Sequence, residues 1–183
     1  KQPSQLGANK DAVSGQWTAP FIMAAINTRV VQRSAALQGL PVLSYEEAML
    51  CGKGLKGRAT AYGLVSALGT LGAASAFRLS RALVERLLPS PGEGPSEEGQ
   101  LAGHYDLRFF GQTADGQVVE SRVTGDRDPG YGSTAKMLVE SALCLLQDVP
   151  DAEGGVLTPA SVMAEPLIKR LQANAGLAFE ALS

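Results

Sequence analysis

The chain has 183 residues, 45% hydrophobic and 19% charged, which suffices for one well-filled core and is short for two. Its 16 Lys and Arg against 18 Asp and Glu leave a net charge of −2 and no basic stripe, which disfavours nucleic acid as a partner. Cys51 and Cys144 lack CxxC or CxxH neighbours, so the composition points to reduced, buried thiols in a cytoplasmic protein rather than a zinc site or disulfide framework.

Lys1 to Gln16 is polar and Gly/Ser-bearing, like a linker or frayed arm, without the apolar core of a signal peptide. No methionine starts it, so sequence is expected to be missing upstream. From Ala19 to Leu37, apolar and small residues recur at spacings of three and four, which predicts a helix entered through Pro20 and stopped at Gly39. PVLSYEEAML predicts a short extended piece and then a helical turn capped by Ser44, with Glu47 at the capping-box spacing.

Nineteen residues between Arg58 and Arg78 carry no charge, and small residues recur four apart at Gly63/Ala67, Gly69/Ala73 and Gly72/Ala76. The run is poor in Leu, Val and Phe, so a closely packed helix is preferred over a membrane span. Its continuation to Leu88 is amphipathic, with Arg78, Arg81 and Arg86 opposite Leu79, Leu83 and Leu87.

PSPGEGPSEEGQ, residues 89–100, reads as a flexible loop. Beyond it, HYDLRFF puts Tyr105, Leu107 and Phe109 on one strand face, QVVESRVT alternates similarly, and the Asp-Gly of TADG predicts an antiparallel hairpin. A helix after Gly130, a short strand at GGVL and a helix capped by Thr158, with Pro159 at its first position and Gly176 as its stop, complete the chain. Helices on a mixed or largely antiparallel sheet define an α+β fold, with residues 17–183 as one domain behind the arm.

GDRDPGYGSTAKMLVESALCLL, residues 125–146, looks most like a site. A P-loop needs GxxxxGK[ST], but here Ser133 and Thr134 precede Lys136, and the pattern fails. A Tyr/Lys acid pair fares no better, because Tyr131 and Lys136, five apart, stand roughly 140° around a helix from each other. What remains is a generic anion seat formed by the amides of Gly130, Tyr131, Gly132, Ser133 and Thr134. Against it stands a plain turn with Ser133 or Thr134 as helix cap, and Asp126 and Asp128 add unfavourable charge beside the seat.

Asn27, Arg29 and Arg33 share a flank of the first helix, either a solvated face or a binding face for an anionic ligand or neighbouring domain. The sole histidine, His104, has no catalytic or metal-ligand set near it in sequence and reads as a structural or surface residue. GTLGAA at Gly69 follows no strand and is no dinucleotide fingerprint.

WTAPFIMAAINTRVVQRSAAL, the loop LLPSPGEGPSEEGQ, residues 125–146 and GGVLTPASVMAEPLIKRLQANAGLAFE together resemble the saccharopine dehydrogenase-like oxidoreductases, in the trans-acting enoyl reductase branch. The resemblance runs from Trp17 to the end and covers only the family's second domain. It implies a substrate-binding and oligomerisation domain with a cleft-shaping sheet, a homodimer, and an N-terminal Rossmann domain absent here. NAD or NADP is then expected only in the full-length protein, with no cofactor-binding or metal-binding residue in this chain.

Asn27, Arg29, Arg33 and Gly130 to Thr134 become the expected substrate-positioning groups, with no catalytic residue assigned. The resemblance also raises contact of residues 59–88 with lipid or a membrane surface. The rival reading is a non-catalytic lipid- or partner-binding module that keeps the fold.

Overall fold

The computed structural model describes residues 3–41, 44–77, 80, 82 and 92–182. The chain forms two compact units, Lys1–Glu93 and Gly94–Ser183, dividing beside the Pro/Gly-rich stretch. Each contains a three-stranded antiparallel sheet and helices, so the α+β expectation holds.

In the first unit, β1 (Asn9–Lys10), β2 (Trp17–Pro20) and β3 (Ala48–Gly52) make a sheet in that order, with α1 (Ala24–Leu37) between β2 and β3 in sequence. The supposed arm therefore holds a strand: Asn9 pairs with Thr18 and Lys10 with Trp17. Trp17 to Pro20 is likewise a strand and not a helix entrance, because its backbone is paired to β1 and β3. Pro20 tolerates this as the last strand residue, opposite Ala48.

The helical turn expected after Ser44 is also corrected. Residues 44–47 have no regular structure and 48–52 are strand; Glu47 turns its carboxylate to Asn27 and Tyr45 instead of to a helix start. Val42 and Leu43, within the expected extended piece, lie outside the described residues.

α2 (Gly54–Ala76) is the uncharged helix, and it packs on β2 and β3 through its first turns, where Gly57 and Ala61 are buried. Arg58 sits there over both Trp17 and Tyr62, its guanidinium carbon 5.6 and 5.7 Å from the two ring centroids. The close packing expected along the whole helix is not found: Leu68, Leu71 and Phe77 are exposed. No helix among the described residues is long and apolar enough to cross a membrane. Of the amphipathic continuation, Arg78, Leu79, Arg81, Leu83, Arg86 and Leu87 lie outside the described residues.

The second unit begins with α3 (Glu97–Ala102), where a loop was expected; the Ser96 hydroxyl accepts from the Gly99 amide, and Glu97 and Glu98 suit the first turn. The predicted hairpin is present. β4 (Tyr105–Gln112) and β5 (Val118–Gly125) pair residue for residue from Tyr105↔Gly125 to Gln112↔Val118. β6 (Leu177–Ala181), not anticipated from sequence, pairs with the other side of β5.

α4 (Gly132–Gln147) and α6 (Ala164–Asn174) pack together, with the four-residue α5 (Pro159–Val162) before α6. Thr158 is the N-cap of α5, its backbone N–H donating to Ser161 Oγ at 3.1 Å, and Pro159 sits at the first helical position, as predicted. The helix does not run on unbroken. Pro166 has no amide and would clash with the carbonyl of Val162, so α5 ends there and the chain restarts through Ala164 at φ 31°. GGVL has no strand structure.

Cys144, Met163, Leu167, Leu171, Ala175 and Leu177 form this unit's core, flanked by Val123 and Phe179 from the sheet. Both thiols are free; Cys144 is buried, while Cys51 is only half-buried. The opposite sheet face carries charge. Arg108 and Arg122 stand directly opposite each other, a pairing made tolerable by acids on either side: Arg122 chelates Asp106 at 2.9 and 3.0 Å and also pairs with Glu180, and Arg108 pairs with Glu120.

Candidate functional site

The eight residues singled out from sequence are divided between the units, three in the first and five in the second. In the first, Asn27 is half-buried on α1, and its Nδ2 donates to Glu47 Oε2 at 2.8 Å. The Tyr45 hydroxyl donates to the other Glu47 oxygen at 2.9 Å. Glu47 thus ties α1 to the segment entering β3. Burial, then the hydrogen bond to the Glu47 carboxylate and its charge, push the Tyr45 phenol well above the ordinary range.

Glu47 and its neighbours also line a half-open cleft of about 390 Å³. Phe21, Ala24 and Ala25 give it an apolar side; Thr28, Arg29 and Glu46 give it polar groups. Arg29 supplies a cationic donor there, beside the two carboxylates of Glu46 and Glu47. Arg33, four residues further along α1, is exposed and does not line the cavity. The two guanidinium groups expected to act together therefore serve different surroundings. Sequence reasoning missed Glu46 and Glu47 because they sat inside an apparent helix cap.

In the second unit, residues 125–136 are held by three anchors. Tyr105 lies over Gly125, where a Cβ would overlap the ring, and its hydroxyl meets the fully buried Ser133 Oγ at 2.9 Å. Lys136 Nζ donates to Asp126 at 2.9 Å and to the Ala175 carbonyl at 3.1 Å, joining α4 to the end of α6. Gly176 permits this junction twice over: its φ is 72°, and a side chain there would meet the Asp126 carboxylate.

The third anchor fills the expected anion seat. Asp128 Oδ2 accepts from the amides of Tyr131 at 2.7 Å and Gly132 at 3.3 Å, and the Asp128 carbonyl accepts from Ser133 at 2.8 Å. The Tyr131 amide above all holds the Asp128 carboxyl below its ordinary range. Neither Ser133 nor Thr134 is the cap: Ser133 turns to Tyr105, and the Thr134 hydroxyl donates to the Pro129 carbonyl. Gly130 and Tyr131 are exposed, with the Tyr131 ring beside Gly94.

These residues do not fit a dinucleotide. The amides at the start of α4 already hold Asp128, and GTLGAA lies within α2 instead of at a strand-to-helix turn. No group of His, Cys, Asp and Glu among the described residues is arranged to hold a metal ion.

Fold and site define an α+β scaffold with a half-open cleft between α1 and the segments at residues 3–5 and 46–47. Its relatives carry enzyme names. Proteins named trans-acting enoyl reductase from Mycobacterium tuberculosis and Mycobacterium bovis are each 37% identical to it over 167 residues, 87% of this chain and 40% of their own length. A second Mycobacterium tuberculosis protein, whose name also contains trans-acting enoyl reductase, is 36% identical over 176 residues, 92% of this chain and 42% of its own length. The chain is thus related to part of the trans-acting enoyl reductases and spans about two fifths of the length of the curated relatives it matches. No family model matches it, and neither does a solved structure.

Proposed function

We propose that this chain is the substrate-binding and oligomerisation part of an NAD(P)-dependent, saccharopine dehydrogenase-like oxidoreductase whose acceptor is an enoyl group. The observation that carries the reading is the identity of 36% to 37%, sustained over 87% to 92% of the chain, with relatives named enoyl reductases. More than half of each relative's length lies outside this match, and the reading assigns the dinucleotide to that part.

The chain's own share is binding and orientation. Arg29 and Thr28 at the cavity would donate to the carbonyl oxygen of an enoyl thioester, and Phe21, Ala24 and Ala25 would cover its carbon chain. Asn27 acts one step back, through Glu47. Within the second unit, residues 125–136 serve as a rigid turn, since their donors are committed to Asp126, Asp128 and Ala175.

A small enoyl thioester, S-crotonyl-N-acetylcysteamine, tests the placement by calorimetry. Saturable uptake is expected, weakened about tenfold by Arg29→Ala through loss of a charged hydrogen bond. Equal affinity in the variant, or no uptake by the native chain, contradicts it.

A further inference from the structure

Strand β4 forms the outer edge of the second unit's sheet, and among the described residues it pairs only with β5. Edge strands usually escape unwanted pairing by being short, bulged, or guarded by Pro or Lys. β4 is neither short nor bulged: its eight residues, YDLRFFGQ, contain no Pro or Lys and pair with β5 without a register shift, and its charges, Asp106 and Arg108, are of opposite sign and so do not exclude a second copy. The other edge strands, β1, β3 and β6, have two, five and five residues. Leu107 and Phe109 lie exposed on one face of β4, and Asp106 and Arg108 on the other.

That sequence is complementary to itself in one register. A twofold axis through Leu107, perpendicular to the sheet, sets Leu107 against the partner's Leu107 and Tyr105 against the partner's Phe109 on the apolar face. On the charged face it sets Asp106 against the partner's Arg108, twice by symmetry. Centring the axis on Asp106 or Arg108 instead opposes like charges. Centring it on Phe109 leaves Asp106 opposite Gln112 and Arg108 opposite Phe110, without an ion pair.

We infer that a second copy of this chain docks on β4, antiparallel and centred on Leu107, to make a continuous six-stranded sheet. This specifies the oligomerisation role proposed above and rests on that reading.

Sedimentation equilibrium of the full chain, with Leu107→Lys and Leu107→Glu variants, provides the test. The native chain is expected to dimerise at tens of micromolar. Each variant alone weakens association by about tenfold or more, because it places like charges at the axis, and an equimolar mixture restores a heterodimer. Hydrogen exchange on the native chain gives a readout that needs no variant: amides of β4 gain protection as concentration rises, and those of β6 do not. A dimer indifferent to both substitutions, or one protecting amides elsewhere than β4, overturns the register alone. A chain monomeric at every concentration overturns the oligomerisation role as well.

Discussion

Arg170→Ala is expected to destabilise the second unit by about 2–3 kcal/mol, toward the lower end of the loss for a broken buried ion pair. The guanidinium spends its donors on three partners along α4: Glu140 at 3.1 Å, Asp148 at 3.1 Å and Gln147 at 3.0 Å. The Arg170 and Glu140 side chains keep only 19% and 13% of their exposure, so removing the cation leaves Glu140 largely desolvated beside the Asn174 amide donor. Some solvent contact persists, which is why the full loss for a fully buried pair is not expected. Chemical denaturation measures the effect. Arg170→Met should lose as much despite filling the volume, and adding Glu140→Gln should recover most of it. A loss under about 0.5 kcal/mol for Arg170→Ala would class the network with ordinary surface bridges.

The second large effect comes from one carbon atom. Gly125→Ala is expected to cost about 3 kcal/mol, at the upper end for overpacking, because the new Cβ would enter the Tyr105 ring. Neither neighbour yields easily: Gly125 ends the central strand, paired to Tyr105 on one side and Leu177 on the other, and Tyr105 is fixed by buried Ser133. Thermal unfolding of Gly125→Ala and of Gly125→Ala/Tyr105→Ala separates sterics from the strand's own preference for glycine. The second substitution should cost less in the alanine background than in the native chain. Additive losses would mean that the ring is not the obstacle.

The Gly125 contact was partly legible in the sequence. Residues 105–125 alternate cleanly and enclose an Asp-Gly turn, so local pattern alone specified the hairpin that brings Tyr105 to Gly125. Asp126 and Asp128 were visible as acids beside the supposed seat. That Asp128 itself occupies the amides depends on how the turn folds back, a local Asx-type closure that DPGYG permits without dictating.

What stayed hidden was decided by distant partners. Trp17 to Pro20 is a strand because Ala48–Gly52 lies beside it, and four residues running into a helix carry no period of their own. Ser44 and Glu47 match a capping box, yet Glu47 serves Asn27 and Tyr45, contacts that no spacing rule encodes. Leu177, Phe179 and Ala181 do alternate, but five residues after a helix stop are a weak signal until β5 is there to receive them. The Arg170 network joins charges more than twenty residues apart on two helices, each of which reads singly as an ordinary polar face.

The proposed division of labour has this chain hold the acceptor while the dinucleotide binds elsewhere. Titrating the chain against NADPH, with nicotinamide fluorescence as the signal, tests it most directly. No saturable change is expected up to millimolar chain, because the amides at the start of α4 already hold Asp128 and GTLGAA lies within a continuous helix. Saturable binding with micromolar affinity would contradict it.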